Sequence, residues 1–139
     1  MSKKYNNISV TAFILWKGKA LLVQRSATDD FLAGYWEQVG GKVEVSENQI
    51  DAVIREVQEE VGLLVKPLRA YHQYDYIHNG GLTCEVAYLC ELPQEPNILL
   101  SPEHQNFIWI TEEELDNLKF VTDNMRTVIK EGFTANSKI

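Results

Sequence analysis

The stretch 46–61 constrains this chain more than any other segment. Ile50, Val53, Ile54, Val57 and Val61 fall at i, +3, +4, +7 and +11, the stripe by which one face of an α-helix enters a core. Ser46 followed three residues later by Gln49 matches a capping box and predicts where the helix starts. Gly62 stands where a glycine can end a helix in the left-handed conformation. The same segment carries Glu56, Glu59 and Glu60 within one arc of about 100°, which the reading places opposite the apolar stripe. Their like-charge pairs one turn apart each cost about 0.2–0.5 kcal/mol. They also lie in the C-terminal half, where the helix dipole disfavours anions. Arg55 offsets part of this by pairing with Glu59. The cluster is either a solvated acidic face or a set of carboxylates that meets a cation.

A cation is the more informative alternative because of what precedes the helix. Gly40-Gly41 ends a short apolar run and lets the backbone turn sharply. Carboxylates together with backbone carbonyls are hard oxygen ligands, suited to Mg²⁺ or Mn²⁺. The whole chain is acidic, with 13 Lys+Arg against 20 Asp+Glu and a net charge of −7. Such a chain lacks the basic footprint of a nucleic-acid binder, yet it can handle phosphates through divalent ions. Near Gly40-Gly41-Lys42 no Ser or Thr follows the lysine, so this is not a P-loop.

The remaining sequence predicts one domain over residues 1–139, of mixed α and β class. Residues 8–16 and 20–24 are apolar, β-branched and aromatic around Lys17-Gly18-Lys19, a hairpin or two neighbouring strands. A loop over 25–35 leads to a strand at 36–39, with a further fragment at 43–45. Strands are expected at 68–77 and 82–92 around a His78–Gly81 turn, then a loop over 92–102 and a strand at 107–110. Thr111 caps a helix through Leu118, and 123–132 is helical, leaving a frayed tail over 134–139. Cys84 and Cys90 lie six apart, on one face of a strand, as small buried hydrophobes of a reduced, cytoplasmic chain. Lys3 and Lys4 precede an apolar run, but no small-residue cleavage site follows. No stretch approaches the ~20 apolar residues of a membrane span.

From Gly41 to Leu63 the chain reads GKVEVSENQIDAVIREVQEEVGL. This resembles the Nudix box, G-x5-E-x7-R-E-U-x-E-E-x-G-U, with U a bulky aliphatic residue. Gly41, Glu47, Arg55, Glu56, Val57, Glu59, Glu60, Gly62 and Leu63 fill every fixed slot. Outside the box, Leu21–Arg25, Trp36–Glu44, Glu103, Trp109 and Thr111–Leu115 are similar to MutT-type members, so the likeness spans residues 8–130. Val39 departs from it, where those members usually carry proline.

The resemblance implies an α+β Nudix fold, a mixed β-sheet sandwiched between helices. It implies metal-dependent hydrolysis of a pyrophosphate bond, foremost of a (deoxy)nucleoside triphosphate to monophosphate and pyrophosphate. A nucleotide sugar, ADP-ribose or dinucleoside polyphosphate is the alternative substrate, and a non-catalytic nucleotide-binding module the alternative class. The implied cofactor is Mg²⁺, with Mn²⁺ as substitute, held by Glu56, Glu59, Glu60, the Gly40 carbonyl and Glu103. Glu56 is the implied base in MutT-type members, with other loops supplying it elsewhere; Arg55 orients the carboxylates and Glu59 joins the catalytic set. Glu47 is read either as an ordinary first-turn residue or as an accessory carboxylate, with Glu44 weaker. Arg25 is either a strand-end cation or a phosphate contact. Asp123-Asn124 is either a helix cap or a reader of the base edge. Tyr71, Tyr74 or Tyr76 is a core residue or stacks on a base. His72, His78 and His104 are expected to be hydrogen-bonded or solvated rather than a ligand set. The partner is a small-molecule nucleotide, with no nucleic acid or membrane, and a homodimer stays open.

Overall fold

The β-branched and aromatic run at the start of the chain forms strand β1 (Asn7–Trp16) in a computed structural model that describes residues 4–138. Met1–Lys3 and Ile139, the outermost residues of the 1–139 span, lie outside the described residues, and Lys3 of the leader comparison with them. Lys17 and Gly18, both at positive φ, close a two-residue turn into β2 (Lys19–Arg25). The strands then splay: β2 pairs β1 only at Leu15–Ala20 and Trp16–Lys19. The vacated edge of β1 is taken by β4 (Val39–Lys42), antiparallel from Ser9–Lys42 to Ala12–Val39. The opposite edge pairs in parallel with β6 (Gly81–Glu91), which carries β5 (Lys66–His78) through a turn at Asn79-Gly80. On the far side β2 binds β3 (Trp36–Glu37) and β7 (His104–Ile110).

Strand alternation divides the core in two. Val10, Ala12 and Ile14 point to one face with Val86, Tyr88 and Cys90, where α1 (Gln49–Val61) adds Ala52, Val53, Val57 and Val61. Phe13 and Leu89 point to the other, under α2 (Glu112–Leu115) and α3 (Asp123–Asn136). This is the expected α+β sandwich of a mixed sheet between helices. Cys84 and Cys90 share the α1 face, buried and unpaired. No helix among the described residues is long and apolar enough to cross a membrane.

Several local expectations are corrected. Asn48, not Ser46, caps α1, accepting from the Asp51 N–H at 2.8 Å, and Ser46 sits in a turn at φ 67°. The turn over 45–46 displaces the strand fragment expected at 43–45 and leaves Val45 97% exposed. Gly40-Gly41 is not a turn but the middle of β4. A Cβ on Gly40 would lie 2.1 Å from the Val10 carbonyl oxygen, so close strand approach, not chain reversal, requires glycine there. α2 stops at Leu115 rather than Leu118. α3 continues to Asn136, into the stretch read as a frayed tail, because Phe133 and Ala135 pack on the second core. Gly62 does end α1 at φ 70°, donating to the Gln58 carbonyl at 3.0 Å.

Candidate active site

Helix α1 and strand β4 pack directly on each other, and this contact builds the acidic centre. Glu60 is 3% exposed, not opposite the apolar stripe as the sequence reading has it. Seven residues is nearly two full turns, so Glu60 stands almost above Val53 and shares its buried flank. Its carboxylate accepts from the Gly40 N–H at 3.1 Å. Glu56 lies one turn below, 14% exposed, and a Cβ on Gly41 would fall 2.5 Å from its carboxyl carbon. Glu59 alone of the three faces solvent, 58% exposed.

Arg55 ties these carboxylates together. It donates to both oxygens of Glu47 at 2.8 and 2.9 Å, to Glu56 at 2.8 Å, to Glu59 at 3.2 Å and to the Lys42 carbonyl at 3.1 Å. Glu44 stands 3.7 Å away. The two-pronged bond from Arg55 holds the Glu47 carboxyl down at about 2. Burial pushes the Glu56 carboxyl up against the pull of Arg55. Burial, reinforced by Glu56, Glu103 and Glu37, pushes Glu60 up to about 10. With no partner cation at hand, the buried Glu60 carboxyl favours its protonated form.

The loop after β6 completes the group. Leu99 and Ser101 donate to the last carbonyls of α1, those of Val61 and Glu60, at 2.9 Å each, and deliver Glu103 and His104 to the end of the helix. Glu60, Glu103 and His104 each present one ligand atom within 4.8 Å of the others. His104 is buried; its Nε2 bonds Glu37 at 3.0 Å, and its Nδ1, 3.5 Å from Glu60, has no hydrogen-bond partner. That orphaned nitrogen, the two carboxylates around it and the backbone of Gly40 suit a divalent ion. The sequence offered His104 only as a hydrogen-bonded or solvated histidine, since its approach to Glu60 depends on the loop after β6. His72 pairs with Glu131 and His78 packs at a tilt against Phe31, and neither belongs to this cluster.

Beside the centre opens a cavity of ≈ 300 Å³, sharing Glu37, Gly40 and Gly41 with it. Its walls include Tyr35, Trp36, Tyr74 and Tyr76. Tyr71 is not among them: a bulge between Ala70 and His72 turns its ring under α3, where its hydroxyl donates to the Val128 carbonyl at 2.9 Å. Arg25 lines the cavity, with its guanidinium bonded to Asp29, to Glu37 and to the Phe31 carbonyl. Asn124 lines it too, whereas Asp123 is exposed beside it, and the helix cap is Thr122 rather than that pair.

The Nudix domain model matches residues 6–131, nearly all of the chain. The protein belongs to the Nudix family. A CTP pyrophosphohydrolase of Escherichia coli K12 is 36% identical over 107 residues, 76% of either chain. A crystal structure of a MutT protein from Methanosarcina mazei Go1 superposes with a TM-score of 0.80 at 28% identity, covering all of both chains. The solution structure of the E. coli ORF135 protein gives 0.74 at 32% identity, over 94% of this chain and 90% of the other. This Nudix protein is accordingly a hydrolase of the pyrophosphohydrolase family, which acts on small nucleotide-type substrates and typically uses divalent metals.

Proposed function

We propose that this Nudix hydrolase cleaves a nucleoside triphosphate to monophosphate and pyrophosphate with the help of Mg²⁺, for which Mn²⁺ can substitute. The observation that carries the reading is the convergence of Glu60, Glu103 and His104 beside an aromatic-walled cavity, whose lining residues Glu37 and Gly40 bond His104 and Glu60. Glu56, Glu59, Glu60, Glu103 and the Gly40 backbone would hold the ions, with the buried His104 nitrogen beside Glu60 and Glu103. Divalent ions held there would supply charge neutralisation for the phosphate oxygens and a more acidic water. The chain's own residues set the geometry. Arg55 keeps Glu47, Glu56 and Glu59 aligned despite their mutual repulsion. Glu56, pressed against Gly41 at the cavity edge, takes the proton from the attacking water. Tyr74 or Tyr76 offers a ring to a base, Asn124 a hydrogen bond to its edge, with Asp123 adjacent, and Arg25 a positive charge at the wall.

The name of the E. coli relative favours a triphosphate over a longer linked nucleotide, and the cavity is at the small end of ligand sites, which run from about 300 Å³ upward. A release assay across nucleoside triphosphates, nucleotide sugars and dinucleoside polyphosphates with Mg²⁺ tests this. Pyrophosphate release from triphosphates, abolished by EDTA, is expected. Orthophosphate as the product, or undiminished turnover in EDTA, would refute it.

A further inference from the structure

Strand β6 sets Glu85 on the same face as Ala87 and Leu89, two and four residues on. Leu89 is covered by the α3 side of the core, but Glu85 lies beyond that cover and forms part of the cavity wall. Ser9 of β1 and Tyr74 of β5 are its partners in register. Among the described residues its one hydrogen bond comes from the Tyr76 hydroxyl, at a long 3.5 Å. Glu37, on the opposite wall, is by contrast held by Arg25 and His104. A half-buried carboxyl in a cavity wall, with so little protein to satisfy it, is free to accept from whatever occupies the cavity. Nothing in the fold requires an acid here, since the other residues of this face are small or apolar.

We propose that Glu85 is a specificity-determining residue, which accepts hydrogen bonds from the exocyclic amino group of a nucleobase. Cytosine, adenine and guanine carry that donor; uracil and thymine present carbonyls instead. The inference rests on the reading of the cavity as a nucleotide site and adds the class of base it admits. The charged and titratable groups facing Glu85 are Tyr74 and Tyr76 from β5, Glu37 from β3 and Arg25 from β2, the last engaged by Asp29 and Glu37; α3 contributes only the uncharged Thr122, Asn124 and Met125. Burial, then the charge of Glu37, pushes the Glu85 carboxyl up to about 7. Below that pH its hydroxyl can also serve a base carbonyl; above it the carboxylate is acceptor-only, and the amino-bearing bases gain relative to uracil.

The test compares CTP with UTP, which differ on this edge alone. For the wild type, kcat/KM should favour CTP by about 10- to 100-fold, the worth of a hydrogen bond to a charged group, with the ratio growing as pH rises through about 7. In Glu85→Leu the preference should collapse. In the near-isosteric Glu85→Gln, whose amide presents both donor and acceptor at every pH, the ratio should fall and lose its pH dependence. A CTP:UTP ratio unchanged in both variants, with turnover intact, would overturn the inference and leave the hydrolase reading standing. Tryptophan fluorescence titration with CMP and UMP without metal separates the two, since Trp36 is on the wall. Tighter CMP binding by wild type, lost in Glu85→Gln, supports the assignment even where no triphosphate is hydrolysed; equal affinities refute it.

Discussion

Neighbouring glutamates in one box have unlike environments, and their substitutions should separate. Glu60 accepts from Gly40 and faces His104, whereas Glu59 projects into solvent on the Arg55 guanidinium. Glu60→Gln should retain the fold, because an amide oxygen can still accept from Gly40, and should lower kcat by more than about 100-fold. Glu59→Gln should cost less; equal losses in single-turnover assays would contradict the buried centre. Glu47 makes a prediction about stability instead. Its folded carboxyl is depressed to about 2 by Arg55, so the stabilisation is complete above the ordinary value of 4.5 and is lost as pH falls toward 2. Melting curves between about pH 5 and 3 should therefore fall more steeply for the wild type than for Glu47→Gln. The box pattern picked out both residues, but only the contacts of each carboxylate tell a buried ligand candidate from a partner of arginine.

Among the elements, β4 and α1 are fitted to each other through two glycines that do different work. At Gly41 an added methyl meets the flexible end of Glu56, 2.5 Å away, and at Gly40 it meets rigid backbone, the Val10 oxygen at 2.1 Å. Gly41→Ala should keep a near-native melting temperature while reducing turnover by about tenfold or more, since it displaces the Glu56 carboxylate of the proposed catalytic set. Gly40→Ala should break the β1–β4 pairing and destabilise by more than about 3 kcal/mol. Equal thermal shifts in calorimetry would show that the two sites do not differ in this way. The helix itself was legible from its 3.6-residue period and Gly62. Its start was not, because Ser46 and Asn48 are both good caps in sequence, and the turn at 45–46 leaves only Asn48 with a side chain placed on the first N–H groups.

For the molecule as a whole, the acidic centre couples folding to protons and, under the proposed function, to cations. Burial raises the folded pKa of Glu60 above its ordinary 4.5, so the stabilisation that this carboxyl contributes to the metal-free protein is complete below that pH and is lost as pH climbs toward about 10. A divalent ion competes with that proton, so millimolar Mg²⁺ should raise the melting temperature, and by more at pH 8 than at pH 6. A Mg²⁺ effect that is absent, or larger at pH 6, would contradict this. The sequence by itself determined the class of fold, the amphipathic helix, the hairpins and the carboxylates of the box, because periodicity and turn chemistry act over a few residues. Only the tertiary structure decided that Gly40 and Gly41 serve close approach and that Glu60 is buried. It alone brings His104 from a distant strand to an orphaned position beside Glu60, and sets Glu85 in a cavity wall. Each of these depends on which segments the sheet brings together across dozens of residues, a distance over which no local pattern carries information.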